Sequence, residues 1–240
     1  MFEYDNKLVA LLTVPPKTIA DVLATMESID TLTEDGDGLK WFNWLYYNVT
    51  KAVEDRVASG GFADAAFLSL LDVQFAELYF NALRGWLTGQ MPAGCWQALF
   101  SRRNDVRLAR IQCALCGINA HINHDLPIAL VNTCQISNLA PEHGTTQYTD
   151  YTGLNATLDS LVEEAKQTLH VRLLGAVLPP VAMLEDTIAA WSVSAAREAA
   201  WQNAELLWHV RGVPVLVVGF KNTLDGLTTV VGKTLMVVVP

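Results

Sequence analysis

Apolar side chains recur along this chain at intervals of three and four, the period of helices that bury one face. Ile19, Val22, Leu23 and Met26 mark a first helix, opened by Pro15-Pro16 and running to about Ile29. The acidic, glycine-bearing stretch Glu34-Asp35-Gly36-Asp37-Gly38 reads as a turn. Trp41, Trp44, Leu45 and Val49 carry a second helix from about Leu39 to Ala58, closed by Gly60-Gly61. A third helix runs from about Ala63 to Leu87, with Phe67, Leu71, Phe75, Leu78, Leu83 and Trp86 as its core stripe. Met91-Pro92 begins a short helix through Phe100.

The helical pattern resumes from about Asp105 to Leu126, where Pro127 interrupts it. Proline lacks the amide donor and clashes with the carbonyl four residues back, here that of Asn123. The expectation is a kink or break, with helix resuming to about Ile136. Residues 138–150, rich in Pro, Gly, Thr and Asn, read as a surface loop. A helix from about Thr152 to Leu174 follows, then a break at Pro179-Pro180 and a long helix from about Ala182 to Val210, which carries Trp191, Trp201 and Trp208. In the tail, Val215-Leu216-Val217-Val218 suits a strand, but Phe220, Leu224, Leu227 and Val231 recur at helical spacing, so helix is the reading, with an extended end at Met236 to Pro240. The predicted fold is all-α: a single-domain multi-helix bundle over residues 1–240, kinked at Pro127 and irregular at the C-terminal tail.

Composition supports one sizeable core. Of 240 residues, 51% are hydrophobic and 17% charged, with a mean hydropathy of +0.25. That leaves little spare polar surface, so some apolar surface is expected to line a pocket or a contact with a second copy of the chain. A membrane-spanning helix needs about 18 uninterrupted apolar residues. Leu173 to Leu184 is cut by Gly175 and Pro179-Pro180, and Val213 to Phe220 is too short, so no membrane span is expected. The start, Met1-Phe2-Glu3-Tyr4-Asp5, lacks the basic residues and apolar run of a signal peptide, which points to a cytoplasmic location. Net charge is −9, and the one basic cluster, Arg102-Arg103, Arg107 and Arg110, is diluted by Asp105; nucleic acid is therefore not an expected partner. Four cysteines without a secretory signal do not make a disulfide framework, and the Cys113/Cys116 pair sits within a helical pattern as small buried side chains.

The chemistry concentrates in Asn119-Ala120-His121-Ile122-Asn123-His124-Asp125, which has five polar side chains in seven residues. A helix advances about 1.5 Å and 100° per residue, which sets His121 and His124 about 4.5 Å apart axially and stacks His121 near Asp125 one turn on. Asn119 and Asn123 form a second i, i+4 pair. Because the flanking strips (Ile111, Ala114, Leu115, Ile118, Ile122, Leu126) are apolar, part of this polarity is buried and needs partners. The same geometry puts Cys113 roughly 16 Å and Cys116 roughly 12 Å from His124, too far to share an ion.

Three readings fit the run. In one, His121 with Asp125 or His124 binds a divalent metal, completed by carboxylates from other helices, with Asp72, Glu77, Glu198 and Glu205 as candidates. In another, the histidines and Asp125 act without metal, Asp125 holding the His121 ring in one tautomer. In the third, the Asn, His and Asp side chains satisfy backbone groups freed at Pro127 and lock neighbouring helices together. His143 in its loop is read as solvated, and His170 and His209 as boundary residues. No G-x-S-x-G, P-loop, G-x-G-x-x-G or H-E-x-x-H motif occurs. A second feature lies near the C-terminus: Arg197 and Trp201, one turn apart, suit a ligand contact in which Arg197 stacks on Trp201 or reaches a carboxylate, though a packed tryptophan beside a snorkelling arginine fits better.

Gly117-Ile118-Asn119-Ala120-His121-Ile122-Asn123-His124-Asp125-Leu126-Pro127 resembles the signature run, of the form G-x-N-A-H-I-N-x-D-L, of a bacterial domain-of-unknown-function family. Phe75-Ala76-Glu77-Leu78-Tyr79-Phe80-Asn81-Ala82-Leu83, Trp96 with Phe100, and Ala196-Arg197-Glu198-Ala199-Ala200-Trp201 support it, so the likeness spans about residues 65–205. The resemblance implies a helical fold and makes the positions of Asn119, His121, Asn123 and Asp125 part of the pattern, that of His124 variable. It implies no activity and no cofactor. The resulting expectation is a helical enzyme acting on a small, largely apolar molecule, within a biosynthetic pathway. His121 is its acid/base or metal-binding group, Asp125 orients it, and Asn119 and Asn123 are hydrogen-bonding groups. His124, Arg197 and Trp201 contact substrate, and Trp41, Trp44, Trp86 and Trp96 are further candidate walls. The rival is a non-catalytic binding or scaffold protein that uses the run as a buried network.

Overall fold

A computed structural model describes residues 2–169 and 192–238. The Pro179-Pro180 break, His170 and Trp191 lie outside those residues. Among the described residues every regular element is helical.

An unpredicted first helix, α1 (Asp5–Leu11), precedes the first expected one; Leu8 is its fully buried anchor, with Tyr4 and Leu12 buried at its ends. Helix α2 spans Ile19–Leu32, and Thr18 and Asp21 form a capping box at its start. Asp37 caps α3 (Gly38–Ala58) by accepting from the Leu39 amide. Asp64 caps α4 (Ala65–Leu87) in the same manner, through the Phe67 amide. The short helix α5 (Gly94–Phe100) leads to α6 (Arg110–Ala120), a π-helical turn (His121–Asp125) and α7 (Leu126–Ile136). The stretch read as loop contains α8 (Thr146–Thr152); α9 (Asn155–Leu169) follows. Helix α10 (Val193–Val210) and helix α11 (Pro214–Leu235) complete the described chain.

The α6–π–α7 rod is the axis of the bundle. From Ile111 to Ala120 every residue is buried, including Gln112 and Asn119, so this segment is covered on all sides. Helix α3 lies along it where Gly117 lets the Phe42 ring close in; a Cβ at Gly117 would stand 2.3 Å from Phe42 Cγ. Helix α11 approaches another side at Gly232, where a Cβ would stand 3.3 Å from Ala98 Cβ and 3.5 Å from Cys116 Sγ. The four cysteines are free and buried.

One expectation needs correction. The chain does not simply kink or break at Pro127: the irregularity precedes it, as a π turn in which the Leu126 amide donates to the His121 carbonyl, and Pro127 then sits in the first turn of α7, where its missing amide costs least. As the helical spacing of Phe220, Leu224, Leu227 and Val231 predicts, the tail is helical: Pro214 starts a helix that persists to Leu235. Val215-Leu216-Val217-Val218 is helical, with Val215 and Val218 exposed. No helix among the described residues is long and apolar enough to cross a membrane.

One buried cluster of charge braces the frame. Arg103 donates to both Asp37 and Asp5, all three being nearly inaccessible, and Tyr4 adds its hydroxyl to Asp37. This cluster ties α1, the start of α3 and the segment before α6 together.

Candidate functional site

The polar run coincides with the π turn. A π turn is wider than an α turn, is rare overall, and is frequent at functional sites; here it carries His121, His124 and Asp125, whose side chains converge. Asp125 is the hub. Its Oδ2 accepts from Trp96 Nε1 at 3.0 Å and pairs with His121 Nδ1 at 3.1 Å, while its Oδ1 pairs with His124 Nδ1 at 2.7 Å. Burial alone would raise the Asp125 pKa, but the bonds to His121 and His124 outweigh it, so the carboxyl stays below its ordinary range and ionised.

His121 is 1% exposed. Its ring lies flat on Phe75, centroids 3.4 Å apart, and edge-on to Tyr46 at 4.5 Å; Phe42, Tyr79 and Trp96 complete the enclosure. Burial lowers the His121 pKa despite the opposing pull of Asp125, which keeps the ring neutral. With Nδ1–H donating to Asp125, Nε2 carries a bare lone pair, and that atom is buried with no hydrogen-bond partner. The Tyr79 hydroxyl is likewise buried without a partner. His124 behaves oppositely: burial lowers its pKa, but the Asp125 bond and the charges of Asp125 and Asp225 prevail and raise it.

On the outer side of Phe75 lies a cleft of ≈ 40 Å³, lined among others by Tyr46, Leu71, Asp72, Leu126, Leu158 and Arg197. Asp72 is buried, and its Oδ2 has no hydrogen-bond partner. Burial, reinforced by the charge of Glu54, pushes its pKa up to about 7. Tyr46 is pushed well above the ordinary phenol range, first by burial and then by the charges of Asp72 and Asp125; it stands between the cleft and the His121 chamber.

The other sequence-derived candidates divide. Asn119 and Asn123 face α11: Asn123 Nδ2 donates to Asn119 Oδ1 at 3.0 Å, and Asn119 Nδ2 to the Thr228 carbonyl at 2.9 Å. They splint the π turn to its neighbour. Arg197 does not stack on Trp201, nor does it reach a carboxylate among the described residues; it lies over the Tyr151 ring at 3.8 Å and donates to Asn155 Oδ1 and the Tyr151 carbonyl. It does reach the cleft. Trp201 is fully buried against Tyr148 and Tyr151. Among the described residues, Trp96 is the tryptophan that touches His121.

His143 is not merely solvated. Its Nδ1 pairs with Glu205 at 2.6 Å and its Nε2 with Glu198 at 2.9 Å, which also gives those two carboxylates a partner other than a metal at His121. Sequence reasoning missed the aromatic enclosure. The i, i+4 pairs Phe42/Tyr46 and Phe75/Tyr79 were its available signal, but such spacing also describes ordinary core, and only the fold shows that both pairs meet one imidazole.

Residues 19–238 match a family described as a family of unknown function, DUF5995. No curated protein and no solved structure matches the chain. With nearly its whole length covered, the chain belongs to that family.

Proposed function

We propose that this family member is an enzyme that moves a proton on a small, largely apolar molecule, with His121 as general base and Asp125 as the group that orients it. One observation carries the reading: a fully enclosed imidazole has one nitrogen held by a carboxylate and the other, Nε2, left bare. Burying a polar atom without a partner costs about 1–3 kcal/mol, and such atoms are retained where a ligand or reaction supplies the partner. Asp72, protonated over part of the neutral range, is the matching acid: one group pushed down and one pushed up is the pattern of an acid–base pair. Arg197 at the cleft offers its charge to a polar end of the substrate. The cleft holds on the order of two or three waters, so substrate reaches Nε2 only when the half-buried Phe75 ring swings off His121.

His121→Asn tests this, because the Asn amide keeps a donor near Nδ1 while the base is removed. Small ketones are incubated with the protein in D₂O, and deuterium uptake at the carbon next to the carbonyl is followed by mass spectrometry. The reading expects exchange with wild type that falls by about 10²–10⁴ in the variant. If no compound exchanges and none shifts the His121 ring resonances, the enzyme reading is overturned.

A second reading has its own support. Asp125 accepts three donors, and the Asn119–Asn123 chain ties into α11, as a purely structural splint would. On that reading the protein binds or scaffolds without catalysis, and His121→Asn alters stability alone. A homo-oligomer is also part of the proposal: Val215, Leu227 and Val230 on α11 are each more than half exposed, an apolar surface that a second copy would cover, and light scattering reads the mass directly.

A further inference from the structure

We propose that Cys95, His124 and Asp225 form a binding site for a divalent ion of the zinc class, on the opposite side of Asp125 from His121. The three side chains come from α5, the π turn and α11, and each offers one ligand atom within 4.8 Å of the others. Thiolate, imidazole and carboxylate together suit a borderline-soft ion such as Zn²⁺ rather than Mg²⁺ or Ca²⁺, which take oxygen donors. Tetrahedral bonds of about 2.0–2.3 Å place ligand atoms roughly 3.3–3.8 Å apart, so the cluster closes by about 1 Å around an ion. Three protein ligands leave a fourth position for solvent or substrate, the arrangement of catalytic rather than structural zinc.

The surroundings are those of a metal ligand set. His124 Nδ1 is occupied by Asp125 Oδ1 at 2.7 Å, which fixes the ring and leaves Nε2 for the ion. A carboxylate behind a ligating histidine is the usual outer support of such sites. Asp225 is held by the Gly94 and Cys95 amides at 2.9 and 2.8 Å. Gly94 has no Cβ to obstruct this; one would meet Thr229 Oγ1 at 2.8 Å. His124 is 13% exposed at its side chain, which gives an ion a route in. On binding, the Cys95 thiol loses its proton to water as the metal–sulfur bond forms.

This inference goes beyond the proton-transfer reading and does not depend on it. Full-length protein, stripped with EDTA and dialysed against CoCl₂, is expected to bind one Co²⁺ per chain with a thiolate-to-cobalt charge-transfer band in the near ultraviolet, displaced by ZnCl₂. Cys95→Ser should abolish the band and Asp225→Asn should weaken binding at least about tenfold; Asp125→Asn, which withdraws the carboxylate behind His124 and favours the tautomer with a proton on Nε2, should weaken it by about 10–100-fold. His121→Asn should leave stoichiometry and band unchanged, so loss of proton exchange and loss of metal separate. Wild-type protein that takes up no stoichiometric Co²⁺, or takes it up without the band, overturns the site, as does a folded Cys95→Ser variant that keeps the band. Should Cys95→Ser fail to fold by circular dichroism, the wild-type spectrum and Asp225→Asn decide.

Discussion

Asp125 is the side chain on which the candidate site most depends mechanically, and its replacement yields a worked expectation. Truncation by Asp125→Ala leaves three donors without their acceptor: Trp96 Nε1, His121 Nδ1 and His124 Nδ1. Trp96 and His121 are each 1% exposed and find no water in exchange, whereas His124 reaches solvent and recovers part of its loss. At about 1–3 kcal/mol for each buried donor orphaned, the two enclosed groups set a cost of roughly 4 kcal/mol. Asp125→Asn is different. With its amide oxygen in the place of Oδ2 it still accepts from Trp96 and His121, and its NH₂ donates to His124 once that ring changes tautomer. What disappears is charge assistance, about 1 kcal/mol per bond, offset by no longer holding an anion out of water, so a net loss of ~1–2 kcal/mol follows. Urea melts at pH 7, followed by tryptophan fluorescence and far-ultraviolet circular dichroism at matched m-values, read both. An alanine variant within ~1 kcal/mol of wild type would refute the hub described above. An asparagine variant as costly as alanine would refute the division between acceptor count and charge.

Gly117→Ala, favourable by about 1 kcal/mol in an ordinary helix, is expected to destabilise here. The new methyl would lie 2.3–2.7 Å from Phe42 ring carbons and Cβ, and overpacking of about 1–3 kcal/mol or more outweighs the propensity gain; a raised Tm would count against the close α3–α6 contact. Asp72 titrates at about 7 in the fold against 3.8 for an ordinary aspartate. The folded state therefore holds the proton more tightly, and stability falls as pH rises from about 4 through 7, by roughly 4 kcal/mol in all at ~1.4 kcal/mol per pH unit. Asp72→Asn should flatten that slope in urea melts taken across the range, and an unchanged slope would show that the carboxyl is solvated. For His143 the bonds to Glu198 and Glu205 raise the pKa above 6.5, so its contribution is full below about 6.5 and fades as pH climbs through the raised value. The difference in urea midpoint between wild type and His143→Ala should shrink between pH 6 and 9; a constant difference would remove the ion pairs from the account.

How much of this was legible beforehand differs by element. Apolar spacing with proline and glycine punctuation announced α2 to α7 within a few residues, because those signals are local; the Thr18 cap that fixes the start of α2 three residues beyond Pro15-Pro16 was not read from the sequence. Helix α1 was not announced, since its short run has no strong period and is held by Leu8 meeting a core made by distant segments. The run from Asn119 to Asp125 marked itself by polarity amid apolar neighbours, and the i, i+4 rule paired His121 with Asp125 from numbering alone. The rest was decided only in three dimensions. Nothing local tells that Trp96, 29 positions upstream, completes the Asp125 shell, that Phe75 lies flat on His121, or that Cys95 and Asp225 meet His124. Sequence determines what each helix must bury; which helices share that burial, and so which polar atoms go without a partner, is set by packing between segments far apart in the chain.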